Sequence, residues 1–206
     1  MNAGNKGLAN LGNTCYMNSA IQCLSHLLDF HPKNEHFLNE NRNKDDIYGS
    51  WLRLQIELWS NNDETSIVPR PFLQKFIKEC HEADKEFHNF NQNDTEEFIE
   101  IFMDLLHRSM KRSITISIQG QINDQLDKLA VKAFNSWSQF FKDDYSYIIQ
   151  KFYSQLLSVT SCTECDYVTV NFDPCMVIPL EIPMNATSIY DCFDSYTQKT
   201  TLNCSN

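Results

Sequence analysis

The chain has 206 residues, 42% of them hydrophobic and 12% aromatic, which is the composition of a folded protein with a real core. Its net charge of −10 argues against a nucleic-acid partner, because a phosphate-binding surface needs a basic excess. No run approaches the roughly 20 apolar residues of a membrane span, and Met1 to Lys6 has no apolar signal stretch, so a soluble intracellular protein of cytoplasm or nucleus is expected. Acidity can favour a basic partner, but it equally serves solubility.

In chain order, the first predicted helix opens near Cys15 and ends before His31-Pro32, with Met17, Ala20, Ile21, Leu24, Leu27 and Leu28 at helical spacing. Pro71 suits the first turn of a second helix that carries Phe72, Phe76 and Cys80 on one face. Asp94 resembles an N-cap, with Glu97 three residues on and Phe98, Phe102 and Leu105 as the buried stripe. Residues 122–150 read as further helix. Beyond Lys151, Phe152 to Thr160 and Asp166 to Phe172 flank Cys162-Thr-Glu-Cys165 like two strands joined by a knuckle, and Met176 to Ile182 reads as another strand. The division expected is a helical part over 1–150 and a β-rich part over 151–206.

The eight cysteines, with no secretory signal before them, are expected to be reduced thiols serving as core, ligand or nucleophile. Cys15 stands where a glycine-containing turn gives way to an amphipathic helix. A thiol attacks only as a thiolate, and the positive end of a helix favours that anion. Gly7 and Gly12 allow a close backbone approach to an incoming peptide, and the amide of Asn10 is placed to reach an oxyanion forming beside the sulfur. By itself a lone cysteine at this place is most simply a small apolar residue near a helix start. Cys23 lies roughly 12 Å further along the helix and is expected to pack in the core.

The context of Cys15, from Gly7-Leu8-Ala9-Asn10-Leu11-Gly12 through Asn13-Thr14-Cys15-Tyr16-Met17-Asn18-Ser19, closely resembles the cysteine box of the ubiquitin-specific proteases. Gln92-Asn93-Asp94-Thr95-Glu96-Glu97-Phe98, otherwise an ordinary capped helix, resembles the glutamine-rich box of the same family, with Asn93 where a second glutamine is usual. The resemblance runs from Gly7 to Cys204. It implies a papain-like α+β fold, with a helical thumb-like lobe and the start of a β-rich zinc-ribbon finger region. It further implies Cys15 as nucleophile, Asn10 as oxyanion donor, and Gln92 and Asp94 lining the channel for ubiquitin's extended tail. A carboxylate there pairs with basic groups and accepts peptide N–H groups. Ubiquitin or ubiquitinated proteins are the partners it implies, and no catalytic cofactor.

Cys162 and Cys165 have knuckle spacing for one tetrahedral zinc ion, and by the resemblance Cys204 is a third ligand whose companion is missing; the other reading is three plain thiols. A cysteine protease also needs a base. All six histidines lie at or before His107, and His26 is roughly 16 Å along the helix from Cys15, so none has the context of that base. His81, His88 and His107 read as surface or packing residues. The palm lobe with the catalytic histidine is therefore expected to be absent, the chain being the amino-terminal part of a thiol-dependent ubiquitin hydrolase. The alternative is an inactive ubiquitin-binding fragment.

Overall fold

The computed structural model describes residues 3–27, 43–85, 87, 92–165 and 167–202. The architecture is α+β. In chain order the elements are β1 (Gly7–Leu8), α1 (Cys15–Ser25), α2 (Ile47–Trp59), β2 (Ser66–Ile67), α3 (Arg70–Glu82), α4 (Thr95–Met110), α5 (Gln125–Phe141), α6 (Tyr147–Phe152), β3 (Ser154–Ser161), β4 (Val168–Cys175) and α7 (Ile189–Tyr196). They divide into two compact units, Met1–Ser117 with Ser138–Lys151, and Ile118–Trp137 with Phe152–Asn206. Among the described residues no helix is long and apolar enough to cross a membrane.

The first unit is helical, with α2 packed on α3 and α4, and α1 packed on α4. The helices start where local chemistry directs. Asp46 accepts from the Gly49 N–H at 2.8 Å, Pro71 occupies the first turn of α3, and Asp94 accepts from the Glu96 N–H at 2.7 Å. In α4, Glu96 and Glu97 lie in the first turn and Arg108 in the last, each complementing the helix dipole. The core is aromatic. Trp51 meets Phe102 with ring centroids 5.2 Å apart, Phe76 meets Phe98 at the same distance, and all four rings are fully buried. Burial of side chains of this size contributes about 1.5–3 kcal/mol each.

Met17, Ala20, Ile21 and Leu24 form the buried stripe of α1, as their spacing predicts. The helix ends at Ser25, which leaves Leu27 43% exposed; Leu28 falls outside the described residues. Cys23 is exposed rather than packed in the core. At about 100° per residue it sits roughly 110° round the axis from the centre of that stripe, which explains the difference.

In the second unit β3 and β4 pair antiparallel from Ser154↔Cys175 to Ser161↔Val168. The Leu157↔Phe172 and Val159↔Val170 pairs put apolar side chains on one face, and Leu156↔Asp173 and Ser158↔Asn171 alternate on the other. Helix α5 is tied to that ribbon: Ser136 donates to the Phe172 carbonyl at 3.3 Å, and Gln155 donates to the Ala133 carbonyl at 3.2 Å. The strand expected over Met176 to Ile182 is not there; the segment is irregular. Pro179 within it and Pro183 after it lack N–H donors, and no further strand among the described residues offers it a ladder.

Candidate active site

The peptide before Cys15 is held from two sides. On one, β1 lies parallel to β2, the Gly7 N–H donating to the Thr65 carbonyl at 2.9 Å and the Ala9 N–H to the Ile67 carbonyl at 2.8 Å. On the other, Asn18 and Gln22 stand one turn apart on α1. Asn18 donates to the Leu8 and Ala9 carbonyls at 3.3 and 3.2 Å, and Gln22 to the Lys6 carbonyl at 2.8 Å.

Between these anchors the chain turns through two successive left-handed residues, Gly12 at φ 100° and Asn13 at φ 49°. A Cβ at Gly12 would meet nothing within 4 Å, so the glycine answers a demand of conformation rather than of space. Gly7, in contrast, has ordinary φ and only loose neighbours within the chain.

Asn10 fastens the turn. Its side-chain carbonyl accepts from the Gly12 N–H at 3.2 Å, the Thr14 N–H at 3.1 Å and the Thr14 hydroxyl at 2.9 Å. Backbone N–H groups can only donate, so the atom that meets them is oxygen and the amide has one orientation. The side chain is exposed, and its Nδ2 has no hydrogen-bond partner among the described residues.

Thr14 is the N-cap of α1, yet its side chain does not cap the helix. The hydroxyl faces backwards, donating to Asn10 and accepting from the Leu11 N–H at 3.0 Å, and the residue is buried. The N–H groups of Cys15, Tyr16 and Met17 therefore bond to nothing among the described residues, as first-turn donors do without a cap. Cys15 is exposed at this uncapped start, on the side of α1 roughly opposite the buried stripe.

The second polar run lies close to the first. Asn93 donates to the Tyr16 hydroxyl at 3.1 Å, so Gln92 and Asp94, both exposed, flank a residue bonded to the neighbour of Cys15. One carboxylate oxygen of Asp94 caps α4. The sequence assigns no role to Tyr16 or Asn93, although one directly follows the cysteine and the other sits between two polar candidates.

No described histidine is bonded to Cys15. His26 lies with Nδ1 2.8 Å from the Gln22 carbonyl and its ring 5.3 Å from that of Trp59. His107 is more than a packing residue. Nδ1 is 2.8 Å from the Ser146 hydroxyl and Nε2 3.3 Å from the Asp144 carboxylate. The Ile149 N–H donates to that hydroxyl at 3.3 Å, so the Ser146 oxygen is held between the His107 ring and α6. Lys111 is also on Asp144, at 3.0 Å, and it, followed by His107, holds that carboxyl below its usual range. Both nitrogens of His107 are thus engaged. His31, His36 and His88 lie outside the described residues.

Cys162 and Cys165 sit exposed on the turn that closes β3 and β4, where the Cys162 N–H donates to the Tyr167 carbonyl at 2.9 Å. The Glu164 N–H points at the Cys162 sulfur from 3.4 Å; that bond, and then those from Cys165, lower the Cys162 thiol from its usual range. Two exposed thiols on one tight turn have the spacing of half of a tetrahedral zinc site. Among the described residues no group of three or more His, Cys, Asp or Glu side chains is placed to hold a metal, and Cys204 lies outside them.

The sequence model of the ubiquitin carboxyl-terminal hydrolase family matches residues 6–193. Ubiquitin carboxyl-terminal hydrolase Usp2 of Drosophila melanogaster is 29% identical over 203 residues, 95% of this chain and 21% of that protein. Ubiquitin carboxyl-terminal hydrolase 4 of Rattus norvegicus is 31% identical over 197 residues, 91% of this chain and 20% of that protein. The chain thus spans about a fifth of the length of these relatives. A solved structure of the SAGA Ubp8/Sgf11/Sus1/Sgf73 DUB module bound to ubiquitin aldehyde has the same fold, with TM-score 0.68 and 21% identity over 98% of this chain and 40% of that one. By sequence, with the fold in agreement, the chain belongs to the ubiquitin carboxyl-terminal hydrolase family.

Proposed function

We propose that this chain carries the nucleophile half of a thiol-dependent ubiquitin hydrolase. Cys15 attacks the carbonyl carbon at ubiquitin's carboxyl terminus, the bond to the departing group breaks, and the acyl group rests on sulfur until water releases it. The Nδ2 of Asn10 donates to the oxyanion, beside the unpaired N–H groups at the start of α1. Gln92 and Asp94 receive the extended tail. One observation carries this reading: the Asn10 side-chain carbonyl is tied three times into the turn before Cys15, and its amide donor bonds to nothing among the described residues.

The base for amide substrates is assigned to a residue beyond those described, because no described histidine is bonded to Cys15. The test uses a ubiquitin carboxyl-terminal thioester, whose thiolate leaves without needing a proton. Acylation of Cys15 ahead of exposed Cys23 supports the reading; equal labelling of the two refutes it.

The same lack of a bonded histidine favours a second reading, a ubiquitin-binding chain that does not turn over. Binding would then survive Cys15→Ser and weaken with Asp94→Ala, and no binding at high micromolar ubiquitin would remove it.

For the second unit we assign Cys162 and Cys165, with Cys204, to a structural zinc ion, which would cross-link the end of the ribbon and nothing catalytic. Metal analysis of the purified chain, with thermal unfolding before and after a chelator, tests it. Absence of zinc and an unchanged midpoint would leave plain thiols.

A further inference from the structure

Tyr16 and Asn93 are 77 residues apart in sequence and hydrogen-bonded in the fold. The ring of Tyr16 is an outlying member of the aromatic core. It stands edge-on to Phe98 with centroids 6.0 Å apart and tilted against Phe87 at 6.2 Å, and both of those rings pack on buried Phe76. Burial raises the phenol above its usual range, so it stays a neutral hydroxyl that accepts the Asn93 amide.

The geometry of α1 gives this bond its consequence. At about 100° per residue, a Tyr16 side chain fixed against α4 sets the direction in which Cys15 leaves the helix. Asn18 and Gln22 hold the other flank against residues 6–9, so α1 is pinned on both sides and Cys15 lies between the pins. The α4 end of the Tyr16 pin is also specific. Asn93 immediately precedes the N-cap of α4, between Gln92 and Asp94.

We propose that the Tyr16–Asn93 bond is a positioning contact that sets the Cys15 sulfur at its working distance from the Gln92–Asp94 start of α4. A peptide tail lying on that start then presents its carbonyl to the sulfur. Neither residue touches the reacting atoms; both act through what they hold. The inference rests on the acyl-transfer reading above. An error of the order of 1 Å between nucleophile and bound acyl group costs about a hundredfold in rate, so a single bond of this kind has leverage.

The experiment measures acylation of Cys15 in the whole chain by a ubiquitin carboxyl-terminal thioester, for the wild type, Tyr16→Phe, Asn93→Ala, the double variant and Asn93→Gln. Alkylation of Cys15 by iodoacetamide and thermal unfolding are followed in parallel. Tyr16→Phe keeps the ring and removes only the hydroxyl, which separates the bond from the packing. Expected is a slowing of thioester acylation by about tenfold to a hundredfold in each single variant, with iodoacetamide alkylation within about twofold of wild type. The double variant is no slower than the worse single one, because both remove one shared interaction, and Asn93→Gln recovers part of the rate. Variants acylated as fast as wild type overturn the positioning role alone. So does a loss that iodoacetamide or the unfolding midpoint shares in proportion. A wild type that the thioester does not acylate overturns the acyl-transfer reading, and the positioning role with it.

Discussion

The side-chain carbonyl of Asn10 accepts from both the backbone N–H and the hydroxyl of Thr14, at 3.1 and 2.9 Å. This one relationship orients the Asn10 amide and turns the Thr14 side chain away from the start of α1. Asn10 is thereby an acceptor within the turn, and its proposed role as a donor is separable from that. Asn10→Asp keeps the acceptor and removes the donor. We expect it to retain near wild-type stability and to slow acylation of Cys15 by a ubiquitin thioester about a hundredfold, the scale of a lost oxyanion donor. Asn10→Ala removes both, and its unfolding midpoint should fall as well. Equal rates for Asn10→Asp and wild type would deny the donor role.

Gly12 has open space around its Cα but a φ of 100°. Gly12→Ala is therefore expected to destabilise through backbone strain alone, by about 1–3 kcal/mol. Gly12→Asn should cost less, because asparagine tolerates left-handed backbone better. Denaturant titration of the two variants decides it, and identical midpoints for both would show that the turn relaxes.

His107 holds the hydroxyl of Ser146, which is 2% exposed, and the N–H of Ile149 donates to the same oxygen. His107→Ala strips that hydroxyl of a partner and should lower stability by about 1–3 kcal/mol. Asp144 is 48% exposed, so Asp144→Asn should cost less. Thioester acylation of Cys15 should be unaffected by either change. A loss of acylation in His107→Ala without a loss of stability would contradict the assignment of this ring to structure.

Burial pushes the Cys80 thiol up to about 12 and raises the hydroxyls of Tyr48 and Tyr16 as well. A group whose folded value is raised gives stability that is complete below its unfolded value and lost as pH climbs towards the folded one. The ordinary thiol value is 9.0, so the fall should begin near there. Denaturation midpoints measured across alkaline pH should therefore decline above about pH 9, and Cys80→Val should flatten part of the decline. A profile that stays level to about pH 11 would refute the burial argument.

Much of the fold was legible because its signals are local. Asp94 before the Phe98, Phe102 and Leu105 stripe, Pro71 at the head of α3, and Cys162-Thr-Glu-Cys165 between two alternating runs each specify their own element within a few residues. The strand expected over Met176 to Ile182 failed for the complementary reason. A strand is stabilised by a partner, and composition alone does not supply one.

The sequence by itself determined where Cys15 stands, since the glycine turn and the Met17, Ala20, Ile21 and Leu24 stripe fix both the start and the buried face of α1. Only the tertiary structure decided which way the Asn10 amide points, that Cys23 faces solvent, and that Asn93 reaches Tyr16. Helix phase follows from spacing along the chain. The aim of a polar side chain is set by donors and acceptors that other segments bring to it, and those become neighbours only when the chain has folded.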